Sequence, residues 1–266
     1  MEREAPTKAE LKFFAYADES ITDEIVAFGV AVFPLDRIGQ AETALAAVKE
    51  SLGLPSEVVL HCRVIFSGEA RRGTSWEKVE PEAIYLAMLR LCKDLKGIGQ
   101  RPVVFVAPAI SPPPIPGPPG SESRVTQLDT KGVAAIGFQT INFHLVQKFG
   151  YGAVEVWIDP DKTKIPWLGA QRRQANSTRS GFVDLGPAVE PPLLTPNVKS
   201  DPKPRLLEVA DLYSYVAAHA HSEKGGWKTK WFQEAYGIIC PERVEFVPNP
   251  DTKWEKAQQV GKEMNK

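Results

Sequence analysis

Two apolar runs near the start of the chain, residues 11–17 and 25–33, are parted only by the short, mostly polar stretch 18–24. Runs this short, rich in aromatic and branched residues and split by a polar break, predict two strands joined by a turn. Pro34 ends the second strand, because proline has no N–H to give to a ladder. A chain that opens on an antiparallel hairpin cannot build an all-parallel sheet. Everything downstream must add to that hairpin or cover it.

The later segments alternate. Residues 40–52 place Ala44, Leu45, Val48 and Leu52 at helical spacing, with Gly53 as a stop. Residues 58–65 predict a strand interrupted by His61, Cys62 and Arg63. Pro81 opens a helix whose stripe is Ile84, Tyr85, Met88, Leu91, Cys92 and Leu95, closed by Gly97. A buried strand follows at 103–107, a helix at 130–149, a strand at 153–158, a helix at 205–221 and a short aromatic segment at 227–236. This order predicts an α/β protein with a mixed sheet, opened by the hairpin and covered by helices on both faces.

With 266 residues, 43% of them hydrophobic, the chain can bury one sizeable core. We expect one domain over residues 11–222, with the proline-rich loop 108–123 inserted in it, and an extension, 223–266, packing on the same domain. The proline, glycine and serine of that loop cannot bury a core. A net charge of -1 excludes binding to nucleic acid by bulk charge and leaves local patches to do so. Cys62, Cys92 and Cys240 form no CxxC pair, which suits a reducing compartment. The charged first residues have no signal-like apolar region, and no apolar run is long enough to span a bilayer. The expectation is a cytoplasmic protein without membrane contact.

Three carboxylates stand in unusual places. Asp18 closes the first predicted strand and shares its parity with Phe14 and Tyr16, whereas Glu19 goes with Ala15 and Ala17. Asp159 ends the strand 153–158 and precedes Pro160. Asp211 lies in a helix almost continuous in Leu, Val, Ala and Tyr, with Glu208 at i−3 on its face. Burying an ionised carboxylate is costly unless it is paired or bound to a cation. Three acids at separate elements could converge on Mg²⁺ or Mn²⁺, which favour oxygen ligands, and such ions activate water against a phosphodiester.

The motifs around these acids, taken in order, resemble the domain of unknown function 3800 family, which is regarded as ribonuclease-H-like. They are Tyr16-Ala17-Asp18-Glu19-Ser20, Leu60-His61, Val156-Trp157-Ile158-Asp159, and Ser200-Asp201 followed by Leu207-Glu208-Val209-Ala210-Asp211-Leu212. The resemblance covers residues 11 to about 222. It implies a ribonuclease-H-like sheet and a catalytic group made of Asp18, Asp159, Asp211 and His61, with His61 orienting a water or touching a phosphate. The metal ligands would come from Asp18, Asp159 and Asp211, with Glu208 as a substitute. Two positions depart from the family pattern. Its Glu before the His falls at Val59, with Glu57 the nearest acid, and its Gln in the last helix appears as Glu208.

Residues 162–180 carry Lys162, Lys164, Arg172, Arg173 and Arg179 and no acid. A basic arm beside an acidic site would draw phosphates toward carboxylates that repel them, so nucleic acid is the expected partner. Trp227, Trp231 and Phe232, interleaved with lysines, could stack on bases or dock a terminal helix. His219 and His221, two apart on one helix, do not face one site. The expected function is metal-dependent phosphodiester hydrolysis. The alternative is a non-catalytic module of the same fold that binds a protein partner or nucleic acid, which the Val59 departure favours.

Overall fold

The computed structural model of the chain describes residues 9–109, 130–158, 203–222 and 227–244. Asp159, residues 110–123 of the expected proline-rich loop, the basic segment 162–180 and residues 245–266 lie outside them.

β1 (Phe13–Ile21) and β2 (Ile25–Pro34) pair antiparallel, with Phe13 opposite Pro34 and Ile21 opposite Val26. The first strand thus runs on to Ile21, and Asp18 and Glu19, expected at its end, sit within it. The reason is the partner: β2 offers an unbroken ladder opposite them, and polarity alone does not end a paired strand. The turn comes at Thr22, whose Oγ1 accepts the N–H groups of Glu24 and Ile25 at 3.3 and 2.9 Å.

β3 (Val103–Pro108) pairs antiparallel with β2, and β4 (Val154–Ile158) pairs parallel with β1. A short β5 (Glu242–Val244), which the sequence reading missed, lies parallel to β3. The sheet is mixed and five-stranded, in the order β4-β1-β2-β3-β5.

Alternation along the strands divides the core in two. Ala15, Ala17, Phe28, Val30 and Val156 face α4 (Thr130–Phe149), which packs through Val133, Phe138, Ile141 and Leu145. Phe14, Tyr16, Ala31, Phe33 and Trp157 point to the other face. There they meet α1 (Ile38–Ser51), α3 (Pro81–Ile98), α5 (Leu207–Ala220) and α6 (Trp227–Ile239). Pro81 stands in the first turn of α3, where a missing N–H costs nothing. Gly53, at a φ of +73°, follows α1 in a conformation that other residues adopt with strain.

The predicted strand at 58–65 does not form. Residues 62–65 make instead the single helical turn α2 (Cys62–Ile65), and residues 58–61 are in no strand. Phe66 then enters an aromatic cluster, with ring centroids 5.2 Å from Tyr85, 5.4 Å from Tyr215, 5.2 Å from Trp231 and 5.3 Å from Phe232. Trp231 and Phe232 are buried there, so they dock α6 on α3 and α5. His219 stacks on Phe232 while His221 meets the edge of Tyr236, which keeps the two histidines apart. Among the described residues, no helix is long and apolar enough to cross a membrane.

Candidate functional site

The site is built where α5 crosses the sheet. Gly29 is the register partner of Asp18, so both lie on the face that α5 covers. A Cβ on Gly29 would stand 2.6 Å from the backbone nitrogen of Ser214, closer than atoms allow. Only glycine lets the helix come so near the strand, and Asp211 lies one turn before Ser214 on that helix.

Asp211 is nearly buried, as its apolar neighbours predict. Its Oδ2 accepts the Cys62 N–H at 2.7 Å and lies 3.1 Å from Nδ1 of His61. An ionised carboxylate only accepts, so facing one the ring would donate through Nδ1 and leave Nε2 toward the surface. The His61 side chain is 57% exposed and that of Asp211 is 13% exposed. A surface imidazole is therefore oriented from below by an interior carboxylate.

Asp18, on β1, lies on the sheet face that α5 covers. Its Oδ1 accepts the N–H of Glu19 at 2.9 Å. Burial pushes the Cys62 thiol well above its ordinary value, and the negative charges of Asp211 and then Asp18 push it further. Asp18 and Asp211 thus belong to the sheet face and to the helix that covers it, although 193 residues separate them in sequence (211 − 18).

Glu208, one turn before Asp211, has a different surrounding. Its Oε2 lies 2.6 Å from Nζ of Lys49 and accepts the Leu60 N–H at 2.9 Å. Burial pushes its carboxyl upward, and the Lys49 ammonium pulls the other way. Lys49 is fully buried and also donates to the Ser56 carbonyl at 3.2 Å, a carbonyl that the Arg205 guanidinium shares. Sequence reading missed Lys49. The signal was there: it lies four residues after Leu45 and eight after Ala41, on the apolar stripe of α1.

The segment 59–63 alternates, with Leu60 and Cys62 buried and Val59, His61 and Arg63 exposed. Val59, where the family pattern has Glu, is 64% exposed. Glu57 is exposed and accepts the Ser56 hydroxyl at 2.7 Å, which holds its carboxyl below the ordinary value. Asp159, Lys162, Lys164, Arg172, Arg173 and Arg179 lie outside the described residues. Among the described residues no group of three or more His, Cys, Asp or Glu side chains is arranged to hold a metal ion. The site as described is two carboxylates and an oriented histidine. No protein-family model matches the chain, and no curated protein matches it.

Proposed function

We propose that this chain is a ribonuclease-H-like hydrolase, similar to the domain of unknown function 3800 family, that cleaves phosphodiester bonds with a divalent cation. One observation carries the reading: a nearly buried Asp211 holds the ring of the exposed His61 and the Cys62 N–H, on the helix that covers the sheet face bearing Asp18. The sheet register adds to it. β4 runs parallel to β1 with Ile158 opposite Ala17, and the next residue in each sequence is an aspartate, Asp159 and Asp18.

Asp18, Asp159 and Asp211 would hold Mg²⁺ or Mn²⁺. Their oxygen donors suit these ions, which when bound activate water and neutralise a leaving oxygen. Glu208 contributes to the site by holding Leu60, since its Oε2 is already taken by Lys49 and the Leu60 N–H. His61 orients water or phosphate at the rim. The exposed Arg63, two residues on, offers a charge to a phosphate. The basic residues 162–179 support nucleic acid as the substrate by sequence alone.

The test is hydrolysis of single-stranded and duplex RNA, DNA and hybrid with Mg²⁺ or Mn²⁺, comparing the wild type with Asp18→Asn and Asp211→Asn. Metal-dependent cleavage that both variants lose supports the reading. No cleavage of any substrate, or equal rates in the variants, overturns it. The exposed Val59 favours a second reading, a non-catalytic module of this fold that binds a protein partner or nucleic acid. Nucleic-acid binding without turnover, unchanged in Asp18→Asn, would select it.

A further inference from the structure

Two acids on one face of α5 hold consecutive parts of the same strap. Glu208 takes the N–H of Leu60, while Asp211 takes the N–H of Cys62 and the ring of His61. Between them lies His61, whose backbone is extended at φ −117° and ψ 111°. Neither amide enters a β ladder, so the carboxylates replace the partner strand that the alternation of this segment would suit.

The Lys49–Glu208 pair is costly to keep for stability alone. Desolvating two charges offsets most of their attraction, and apolar side chains of similar size often serve a fold as well. What an apolar pair cannot do is accept the Leu60 N–H. Glu208 needs Lys49 beside it to remain a charged acceptor in the interior, and Lys49 ties the same loop again at Ser56.

We infer that Glu208, kept as a buried acceptor by Lys49, is a positioning residue: by gripping the Leu60 amide it sets the strap so that His61 reaches Asp211. The kinetic part of this inference rests on the proposed hydrolase reading, while its structural part does not.

Two double variants separate positioning from packing. Lys49→Met with Glu208→Gln removes both charges and keeps an oxygen for the Leu60 N–H. Lys49→Met with Glu208→Leu removes the charges and the acceptor. Neither leaves a lone buried charge, so both are expected to fold. With ¹⁵N-labelled histidine, observed above the imidazole titration range and assigned with His61→Asn, the nitrogen shifts report which ring atom carries the hydrogen.

The expected result is a wild-type His61 held as the Nδ1–H tautomer. The Gln variant keeps that signature, and the Leu variant gives the averaged shifts of a loose imidazole. In the hydrolysis assay the Leu variant is expected to lose about a hundredfold in kcat with KM little changed, while the Gln variant retains most of its rate. Identical His61 shifts in the two variants overturn the inference. So does unfolding of both, which would make the pair a fold-bearing element. Inactivity of the wild type would sink the hydrolase reading and leave the nitrogen shifts to decide the positioning.

Discussion

Nδ1 of His61 lies 3.1 Å from Oδ2 of Asp211, and the same oxygen takes the Cys62 N–H at 2.7 Å. One carboxylate therefore orients an exposed ring and satisfies the first amide of the turn that follows it. Orientation of the histidine and folding of the strap are thus linked through a single side chain.

That double duty predicts how Asp211 responds to substitution. Asp211→Ala leaves the Cys62 N–H unsatisfied in the interior and is expected to cost about 1–3 kcal/mol. Asp211→Asn keeps an acceptor oxygen and is expected to cost less while still abolishing any metal-dependent hydrolysis. Urea unfolding of both variants checks the order, and a larger loss in the Asn variant would contradict it.

The approach of α5 to β2 gives a second contrast. In Gly29→Ala the new Cβ meets Ser214 backbone, so the helix must lift from the sheet, at a cost of about 1–3 kcal/mol. Gly39, exposed in the first turn of α1, has open space where a methyl group would go, with nothing within 4 Å. Gly39→Ala is expected to stabilise by about 0.5–1 kcal/mol. Opposite signs in chemical denaturation would bear out the packing, and equal signs would not.

Burial separates the three thiols. It pushes Cys92 up to about 12 and Cys62 well above its ordinary value, whereas Cys240 is exposed near Arg101. Since the thiolate is the nucleophile, native alkylation is expected at Cys240 alone, and at all three cysteines in denaturant. Peptide mass mapping reads the result, and rapid native labelling of Cys62 would place that residue elsewhere than under Asp211.

A pH effect is expected at the sheet edge. Glu242 on β5 meets Lys148 at 2.5 Å and His144 at 3.0 Å, both on α4. The Lys148 contact comes first among the causes that hold its carboxyl below the ordinary value of 4.5, so the folded state binds fewer protons there than the unfolded chain. The resulting stabilisation is present above the ordinary value and is lost as pH falls through the lower, folded one. Glu242→Gln is expected to be less stable near neutral pH and to lose less on acidification. Parallel acid-denaturation curves for the two proteins would contradict this.

Where apolar period and punctuation agreed, the elements were legible in the chain itself. Pro81 and the stripe from Ile84 to Leu95 set α3, and the run from Ile25 to Phe33 set β2. Composition also made Asp211 conspicuous, because a carboxylate among Leu, Val and Ala needs a partner wherever the helix goes. Periodicity reports which side chains are buried and is silent on which group satisfies an amide. For that reason β1 ran on through Asp18, whose ladder partner Gly29 lies in the next strand. The segment 58–65 alternated like a strand, yet the amides of Leu60 and Cys62 found carboxylates 148 and 149 residues away. The burial of Lys49 and its pairing with Glu208 likewise depended on the folded arrangement, since a charge on an apolar stripe acquires its meaning only from the residue that folding sets against it.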